Sequence, residues 1–444
     1  MVKISQLKHF TSLLVVAAIL SVAGVTAAQS SRQYQKPVPA AKISREDDRF
    51  LEELSRRSFS YLWEQTDPTT GLTLDRTKSD GTRKPVREGY VVASSAATGF
   101  ALTGLCIAAE RNWVTKKQAI DRARATLKFY AERSPHKEGW FYHFTNQADG
   151  TRHRRSEISS IDTALLLGGV LTVKQRFRRD KEIVRLADAI YDRIDFRWML
   201  NGDKHFLSHG WRDENGFAKA RWIRMSEHPI LYVLAIASRT KPIPAEAWHA
   251  WERNPAEFGK YKWYSGGASL FVHQYPQAWL DLRGRKDSRE PFLDFYQNSV
   301  TATRAHREFC LSLKDEFPGY SENIWGISAS DSATGYVGWG GPPRHRRIDG
   351  SVVPYAAAGS LMFTPDISLP ALKEMKAKFG DKIYGKYGFA DAFNPNNDWV
   401  NPDVIGIDLG ITLIGAENLR SGKVWHWFMQ NKEIVNALDR VGLK

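Results

Sequence analysis

The chain has 444 residues, of which 42% are hydrophobic, and its formal charge at neutral pH is +14. A basic balance favours an anionic partner, but the Lys and Arg residues are interspersed with acids and cluster only briefly, at Arg152–Arg155 and Arg344–Arg347. Because no zinc-finger or other nucleic-acid-binding signature is present, we expect no nucleic-acid partner and instead a glycan, either bare or carrying anionic groups.

The N-terminal segment has the pattern of a secretory signal peptide. Lys3 and Lys8 precede an apolar run from Leu13 to Val25, and the small residues Thr26–Ala28 follow it. A membrane anchor is the alternative, although the run is short for a spanning helix. We predict a signal peptide over residues 1–28, a flexible leader over 29–43, and an exported, periplasmic protein without stable membrane insertion.

Residues 44–444 show a regular alternation of two kinds of helical segment. Six segments are apolar on nearly every face, which indicates burial on all sides, and six or seven between them carry a single apolar stripe. The apolar segments are Ala93–Glu110, Ile161–Arg176, Glu227–Ala237, Gly267–Leu282, Ser351–Phe363 and Val404–Ala416. The amphipathic segments are Arg45–Gln65, Lys116–Arg133, Lys181–Ile194, Pro244–Arg253, Glu290–Leu313, Leu369–Phe379 and Val424–Leu438. This alternation predicts one all-α domain built as two concentric rings of helices.

The connections between these segments are unequal in length. Links from an apolar segment to the next amphipathic one are short, whereas most links in the other direction are long. All the long loops should therefore lie on one face, at the N-terminal ends of the inner helices. Long loops in a compact domain usually carry function, so we expect the chemistry on this face.

Cysteine usage and missing motifs limit that chemistry. Cys106 and Cys310 lie in apolar helical segments. The sequence is compatible with two alternatives, a pair of buried free thiols or one disulfide. The sequence contains no metalloprotease, phosphate-loop, nucleophile-elbow or EF-hand motif, and its histidines lack metal-ligand spacing. We expect neither a metal nor a cofactor, and the sequence makes no prediction of oligomeric state.

Carboxyl groups stand at the loop-facing ends of two inner segments. Glu157 precedes the segment that begins near Ile161, and Asp162 lies in its first turn, where Ser159 or Ser160 can provide the cap. Two carboxyl groups in one cleft are what glycoside hydrolysis requires. The alternative is structural, since Asp162 would also complement the helix dipole and Glu157 would pair with a neighbouring Arg.

Glu227 holds the equivalent position in the next inner segment. Ser226 is expected to cap a helix that Glu227 opens. Dipole complementarity is again the alternative, and it conflicts with an acid role because a helix N-terminus lowers a carboxyl pKa. Only desolvation by aromatic walls would raise that pKa enough for proton donation.

Aromatic and polar residues on the long loops suggest a sugar-binding surface. The chain has 15 Trp, and aromatic rings on loops above a cleft can stack on sugar rings, although core packing is the commoner role of any one Trp. The candidate substrate-binding residues are Trp140, His143, His273, Tyr275, Trp325, Asp331, Asp391 and Trp399.

Several ordered motifs resemble a known family. They are Glu157–Leu167, Ser226–Leu234, His273–Asp281, Trp325–Asp331, Asp349–Gly350, Tyr387–Phe393 and Ile405–Asp408. Together they resemble the bacterial glucoamylase-like domain, which includes the endo-β-1,2-glucanases of glycoside hydrolase family 144. The likeness spans nearly the whole chain after the leader, from about Phe59 to Leu443.

The resemblance implies an (α/α)6 toroid that cleaves β-1,2-glucan with inversion and without a cofactor. By motif, it implies that Glu227 is the general acid, that Glu157 is the base or positions the water, and that Asp162 supports them. The predicted function is therefore an endo-acting β-1,2-glucan hydrolase. The alternatives are an exo-acting hydrolase of other glucans or oligosaccharides on the same scaffold, and a non-catalytic glycan-binding protein.

Overall fold

A computed structural model of the chain describes residues 43–82 and 91–444, all within one compact unit. The predicted signal peptide and nearly all of the predicted leader lie outside the described residues and stay predictions. None of the described helices is long and apolar enough to cross a lipid bilayer.

The helices alternate between the two types that the sequence predicts. They are α1 Arg45–Glu64, α2 Ser95–Glu110, α3 Lys116–Glu132, α4 Ser160–Arg176, α5 Lys181–Arg193, α6 Phe196–Leu200, α7 Pro229–Ala237, α8 Ala247–Ala250, α9 Phe271–Trp279, α10 Phe295–Ser312, α11 Pro354–Ala358, α12 Pro365–Phe379, α13 Gly406–Arg420, α14 Lys423–Phe428 and α15 Lys432–Arg440.

The inner ring consists of α2, α4, α7, α9, α11 and α13. All nine residues of α7 are buried, and so is every residue of α2 except Glu110. Helix α2 packs on α4, α4 on α7 and α7 on α9, while α13 contacts α9, α11 and α2 and thereby closes the ring. The architecture is all-α and of the (α/α)6 type, as the alternation predicted.

The outer helices bury one stripe each. Helix α5 is typical, because its buried residues, Ile183, Leu186, Ala187, Ile190 and Tyr191, recur at the spacing of one helix face. Helices α1, α3, α10 and α12 repeat this arrangement in the outer layer, as do α14 and α15.

Short strands organise the long loops. They are β1 Arg76–Lys78, β2 Val92–Ser94, β3 His136–Lys137, β4 Trp140–Phe141, β5 Phe144–Asn146, β6 Ile158–Ser159, β7 Gly210–Arg212, β8 Gly216–Phe217, β9 Pro255–Phe258, β10 Tyr261–Tyr264, β11 Ser330–Ser332, β12 Gly335–Val337, β13 Tyr384–Gly385, β14 Gly388–Phe389, β15 Phe393–Asn394, β16 Trp399–Val400 and β17 Asp403–Ile405. All pairings are antiparallel, and β1 pairs with β17 in the register Arg76 to Ile405. Strands β2, β6 and β17 lead directly into α2, α4 and α13, so each pairing fixes where an inner helix begins.

Several predicted segments are helical over fewer residues than the sequence suggested. The segment 351–363 is α-helical only over α11, and 244–253 only over α8. Helix α8 stops early because the Arg253 guanidinium donates to the carbonyl oxygens of Trp248 and Trp251. The predicted helix 424–438 divides at Asn431, whose amide donates to the carbonyls of Phe428 and Leu171.

Polar side chains cap several outer helices, and both cysteines are free thiols. Ser44 and Asp180 cap α1 and α5, and Thr115 forms a capping box on α3. Helix α12 begins at Pro365 and has no side-chain cap, and Ser368 lies inside it. Cys106 and Cys310 are both free and buried, so the disulfide alternative is wrong for this structure.

The closest backbone approach in the inner ring joins α2 to α4 through glycine. A Cβ atom on Gly169 would overlap the carbonyl oxygen of Gly99, and one on Gly99 would overlap that of Leu165. We therefore expect Gly169→Ala to lower the free energy of unfolding by about 1–3 kcal/mol, because the two helices must separate.

Urea denaturation followed by circular dichroism measures this change. Gly338→Ala is the matched control, since no atom lies within 4 Å of its added Cβ; its stability should stay within about 0.5 kcal/mol of the wild type. Equal stabilities of the two variants would contradict the proposed close contact.

Candidate active site

A cleft of about 360 Å³ opens at the N-terminal ends of the inner helices. Every inner helix places a lining residue at or near its first turn: Ser94, Asp162, Glu227, Phe271, Tyr355 and Asp408. This is the face of long loops on which the chemistry was expected. The positive ends of the inner-helix dipoles therefore converge on a cleft that contains several carboxyl groups.

The first cluster of the cleft joins Asp162, His143 and Glu157. His143 Nδ1 lies 3.1 Å from Glu157 Oε1, and its Nε2 lies 3.4 Å from Asp162 Oδ1. Ser159 caps α4 and also donates its hydroxyl to Asp162 Oδ2 at 2.5 Å. The strand β6, just before α4, places Glu157 and Asp162 on either side of the same imidazole.

Opposite charges set the protonation states in this cluster. Burial lowers the pKa of His143, but Asp162 and Glu157 outweigh burial and raise that pKa to about 9. The His143 hydrogen bond lowers the pKa of Glu157 to about 2 against the effect of burial, with a further contribution from Arg212, whose Nη2 lies 3.0 Å away. His143 is therefore an imidazolium near neutral pH, held between two carboxylates.

Glu227 faces the cleft beside this cluster in a different electrostatic environment. Burial raises its pKa, the Ser226 hydroxyl that donates to its carboxylate opposes the rise, and the charge of Asp162 adds to it. The prediction that Ser226 caps the helix is wrong. Helix α7 begins only at Pro229 and has no side-chain cap, because the serine hydroxyl is taken by Glu227 and Pro229 has no N–H to satisfy.

The residue after Glu227 anchors it to the core. His228 is completely buried, with its ring 4.8 Å from that of Trp251 and 5.3 Å from that of Trp222. Burial lowers the pKa of this imidazole well below its ordinary value, so His228 is neutral. The peptide that carries the Glu227 carboxyl is thus fixed by an aromatic cage.

A second acidic cluster lies where β1 and β17 bring the two ends of the domain together. Arg76 donates from Nη1 to Asp331 at 2.6 Å and from Nε to Asp75 at 3.2 Å. The side-chain amide of Asn401 links Asp331 to Asp391, because it donates to the first carboxylate at 3.0 Å and to the second at 2.9 Å.

Burial dominates the titration of the second cluster. Burial raises the pKa of Asp75, and it raises the pKa of Asp391 to about 6. Burial, and then the neighbouring Asp391 carboxylate, raise the pKa of Asp408 well above its ordinary value. Asp391 and Asp408 therefore share a proton at pH values where an exposed aspartate pair would carry two charges.

Aromatic side chains form the walls between the two clusters. Tyr275 and Phe271 lie on α9 with their ring centroids 5.3 Å apart, and Phe144 stacks on His143. Tyr336, on the hairpin of β11 and β12, lines the cleft and is nevertheless 60% exposed. An exposed ring at the rim of a polar cleft suits contact with the apolar face of a sugar.

The structure separates the predicted binding residues into four groups. His143 and Tyr275 line the cleft, and Asp331 and Asp391 belong to the second cluster behind it. Trp399 lies on β16, half-buried and away from the cleft lining.

Trp140, Trp325 and His273 are core residues instead. Both tryptophans are 0% exposed, the indole of Trp140 donates to the Asp195 carbonyl, and His273 is 4% exposed. The expectation that they contact substrate conflicts with this burial, because the apolar residues around them leave no surface for a sugar.

Five residues of the cleft were not predicted from the sequence: Asp75, Arg76, Asp408, Tyr336 and Tyr355. Asp408 could have been found, since it lies in the first turn of an inner helix, as Asp162 does. Asp75 and Arg76 carry no such signal, because β-pairing with a distant strand brings them to the cleft. Within 43–82 and 91–444, no group of three or more His, Cys, Asp or Glu side chains is arranged to hold a metal ion.

The first cluster makes a direct spectroscopic prediction. His143 should titrate with a pKa of about 9, and Glu157→Gln should bring that pKa down towards the ordinary value of about 6.5. Because the folded-state pKa is raised, the stabilisation from this cluster is complete below about pH 6.5 and is lost as the pH rises through about 9.

A proton NMR titration of the imidazole signals tests this, with His143→Gln to assign the resonance. Glu322→Gln is the control, since that side chain is 84% exposed and should leave the titration unchanged. A His143 signal that titrates near pH 6.5 in the wild type would refute the arrangement.

Known proteins resemble this chain in sequence and in fold. A family model described as "Putative glucoamylase" matches residues 219–432. A solved protein of Bacteroides fragilis with the same description is 28% identical with a TM-score of 0.81, over 92% of this chain and 99% of its own. An endo-β-1,2-glucanase of Chitinophaga pinensis, solved with sophorotriose and glucose, is 25% identical with a TM-score of 0.80, over 91% of this chain and 99% of its own.

A curated relative is longer than this chain. An exo β-1,2-glucooligosaccharide sophorohydrolase (non-reducing end) of Parabacteroides distasonis is 24% identical across 96% of this chain, which spans 62% of that relative. The resemblance read from the motifs is therefore confirmed: in sequence and in fold, this chain is similar to glucoamylase-like proteins.

Proposed function

We propose that this protein hydrolyses β-1,2-linked glucan chains at internal linkages and with inversion at the anomeric carbon. The observation that carries the proposal is the arrangement of two carboxyl groups on one cleft, the half-buried Glu227 and the buried Asp408. Glu227 precedes α7 and Asp408 lies in α13, and these two helices are opposite one another in the inner ring. Inverting hydrolysis needs an acid and a base on opposite sides of the sugar, with room for water between them.

Glu227 is the proposed general acid. Its raised pKa keeps a proton available for the leaving oxygen, and the fixed charge of Asp162 beside it strengthens that effect. A helix dipole would lower the pKa of Glu227, but burial raises it, and the raised pKa suits proton donation. Asp162 supports the acid, as the resemblance implied.

Asp408 is the proposed general base. Its raised pKa makes its carboxylate a stronger base towards the attacking water than an exposed aspartate would be. Glu157, for which the resemblance implied a base or water-positioning role, is a poor candidate. Its low pKa and its bonds to His143 and Arg212 commit it to orienting the imidazole.

The relatives support β-1,2-glucan as the substrate. One acts on β-1,2-glucooligosaccharides from the non-reducing end, and the other is an endo-β-1,2-glucanase. Endo action is favoured here, because the endo-acting relative is matched over 91% of this chain and 99% of its own length. Export to the periplasm, which the N-terminal pattern suggests, is part of the same proposal.

Removal of either carboxyl should abolish turnover without unfolding the protein. We expect Glu227→Gln and Asp408→Asn each to lower kcat by about 10²–10⁴-fold on linear β-1,2-glucan. Glu322→Gln, which removes an 84% exposed carboxyl, is the control and should retain full activity. Full activity of either cleft variant would remove that residue from the mechanism.

The products distinguish the proposal from its alternatives. Chromatography of a digest of linear β-1,2-glucan should show a ladder of oligosaccharides from the first minutes. A single disaccharide product would establish exo action instead. Tight binding without any product, on β-1,2-, β-1,3- and α-glucans alike, would establish a non-catalytic glycan-binding protein.

The pH profile of kcat/KM should be bell-shaped. Activity should fall at acidic pH as the Asp391–Asp408 pair takes up its proton, and it should fall at higher pH as Glu227 loses its own. In Asp162→Asn the alkaline limb should move to lower pH, since the charge that raises the pKa of Glu227 is gone. The control is Asp398→Asn, which changes a 90% exposed side chain and should leave both limbs in place. An alkaline limb that stays in place in Asp162→Asn would disprove the coupling between Asp162 and Glu227.

A further inference from the structure

We infer that a second groove, beside Glu227, binds acidic groups carried by the glucan substrate. The inference rests on the proposed function, because it takes the ligand to be a glucan that already occupies the cleft. It adds a site that holds a phosphate group, or the free carboxylate of a dicarboxylic acid half-ester, on a sugar that does not take part in the cleaved bond.

The groove has a volume of about 680 Å³ and runs along the segment that leads to Glu227. Arg224 lies on its wall three residues before Glu227, and Gly266 donates its N–H to the Met225 carbonyl at 2.6 Å. Gly267 faces the Ser226 hydroxyl that binds the Glu227 carboxyl. The groove therefore lies against the segment that leads to Glu227.

A basic loop, Arg344–Arg347, borders the groove: Arg344 and His345 lie in its lining, which also contains one carboxylate, that of Glu257. Arg344 is held in place, because it donates to both carboxylate oxygens of Glu316, at 2.7 and 2.8 Å, and to the Ile348 carbonyl. His345 lines the groove, and Arg346 and Arg347 beside it are exposed. Neither Arg346 nor Arg347 forms an ion pair with any residue in the described part of the chain.

The backbone presents these side chains at an energetic cost. Arg346 has φ of +65°, in the left-handed region that non-glycine residues rarely occupy. The Arg344–Glu316 ion pair and the hydrogen bond from the His345 N–H to the Gly340 carbonyl hold the turn before Arg346, and the bond from Arg344 to the Ile348 carbonyl spans it. Backbone strain kept in this way concentrates at binding sites, where it fixes side-chain placement in advance.

The charge of the groove indicates an anionic ligand. Arg224 is 71% exposed and its pairing with Glu252 is loose, at 3.4 Å, so its guanidinium remains accessible from the groove. A bare glucan offers only hydroxyl groups, whereas guanidinium groups bind phosphate and carboxylate strongly and with defined geometry. The formal charge of +14 would also attract such a chain at long range.

Binding to an inactive enzyme tests the site without depending on turnover. In the Glu227→Gln background, affinity electrophoresis would compare linear β-1,2-glucan with the same glucan succinylated to a known degree. At about 0.02 M salt we expect the succinylated chain to bind about 3- to 10-fold more tightly, and this preference should shrink at about 0.5 M salt because exposed charges are screened.

Two matched double variants assign the effect to the groove. Arg346→Ala with Arg347→Ala should bring the two affinities towards equality. Arg178→Ala with Arg179→Ala removes an equally exposed arginine pair at the other end of α4 and should keep the preference. Loss of preference in both double variants, or in neither, would overturn the groove as the site.

The outcomes also separate this inference from the proposed function. Hydrolysis of bare glucan by the wild type with no preference for the succinylated chain would disprove only the acidic-group site. Preferential binding of the succinylated chain without hydrolysis of either glucan would support the site and disprove the proposed activity.

Discussion

The convergence of the inner-helix N-termini on one cleft is the constraint on which the site depends. It requires the inner helices to pack closely enough for their first turns to meet, and the glycine contact between α2 and α4 shows how close that packing is. It also places positive dipole ends around a space that holds several carboxyl groups. Without this convergence, the carboxyl groups would be separate surface charges with ordinary pKa values.

Burial raises the pKa of those carboxyl groups and nearby positive charges lower it, and the balance between the two effects differs across the cleft. Around His143, opposite charges outweigh burial and keep Glu157 ionised. Around Asp391 and Asp408, burial and mutual repulsion outweigh the charge of Arg76 and hold protons at unusually high pH. Glu227 lies beside the fixed charge of the first cluster, which favours its protonated form. The cleft thus holds carboxyl groups with divergent pKa values, which acid–base catalysis requires.

The loops extend this arrangement beyond the reacting groups. His228 fixes the peptide of Glu227 in an aromatic cage, while the turn before it forms a wall of the second groove. Residues 224–228 therefore connect the proposed acid to both the core and the neighbouring basic loop. The hairpin that carries Tyr336 is placed by similar means, since Arg76 binds Asp331 on the strand paired with it.

Much of the site could be predicted because local sequence decides it. Asp162 lies in the first turn of an apolar helix behind a capping serine, and Glu227 stands just before another inner helix, so position along the chain was enough to select both. Aromatic residues were less predictable. Tyr275 lines the cleft and Trp325 is buried, yet both lie in similar apolar surroundings in the sequence, because composition does not show which face of a ring meets solvent.

The sequence by itself determined the two rings, the face that carries the long loops and the carboxyl groups at the helix ends, since helix periodicity and loop length are local properties. Only the tertiary structure decided which carboxyl groups share a cluster. The pairing of β1 with β17 brings Asp75 and Arg76 from the start of the domain to Asp408 near its end, and the link between β4 and β5 places His143 between Glu157 and Asp162. Protonation depends on these distances and on burial, and both arise only when residues far apart in the sequence pack together.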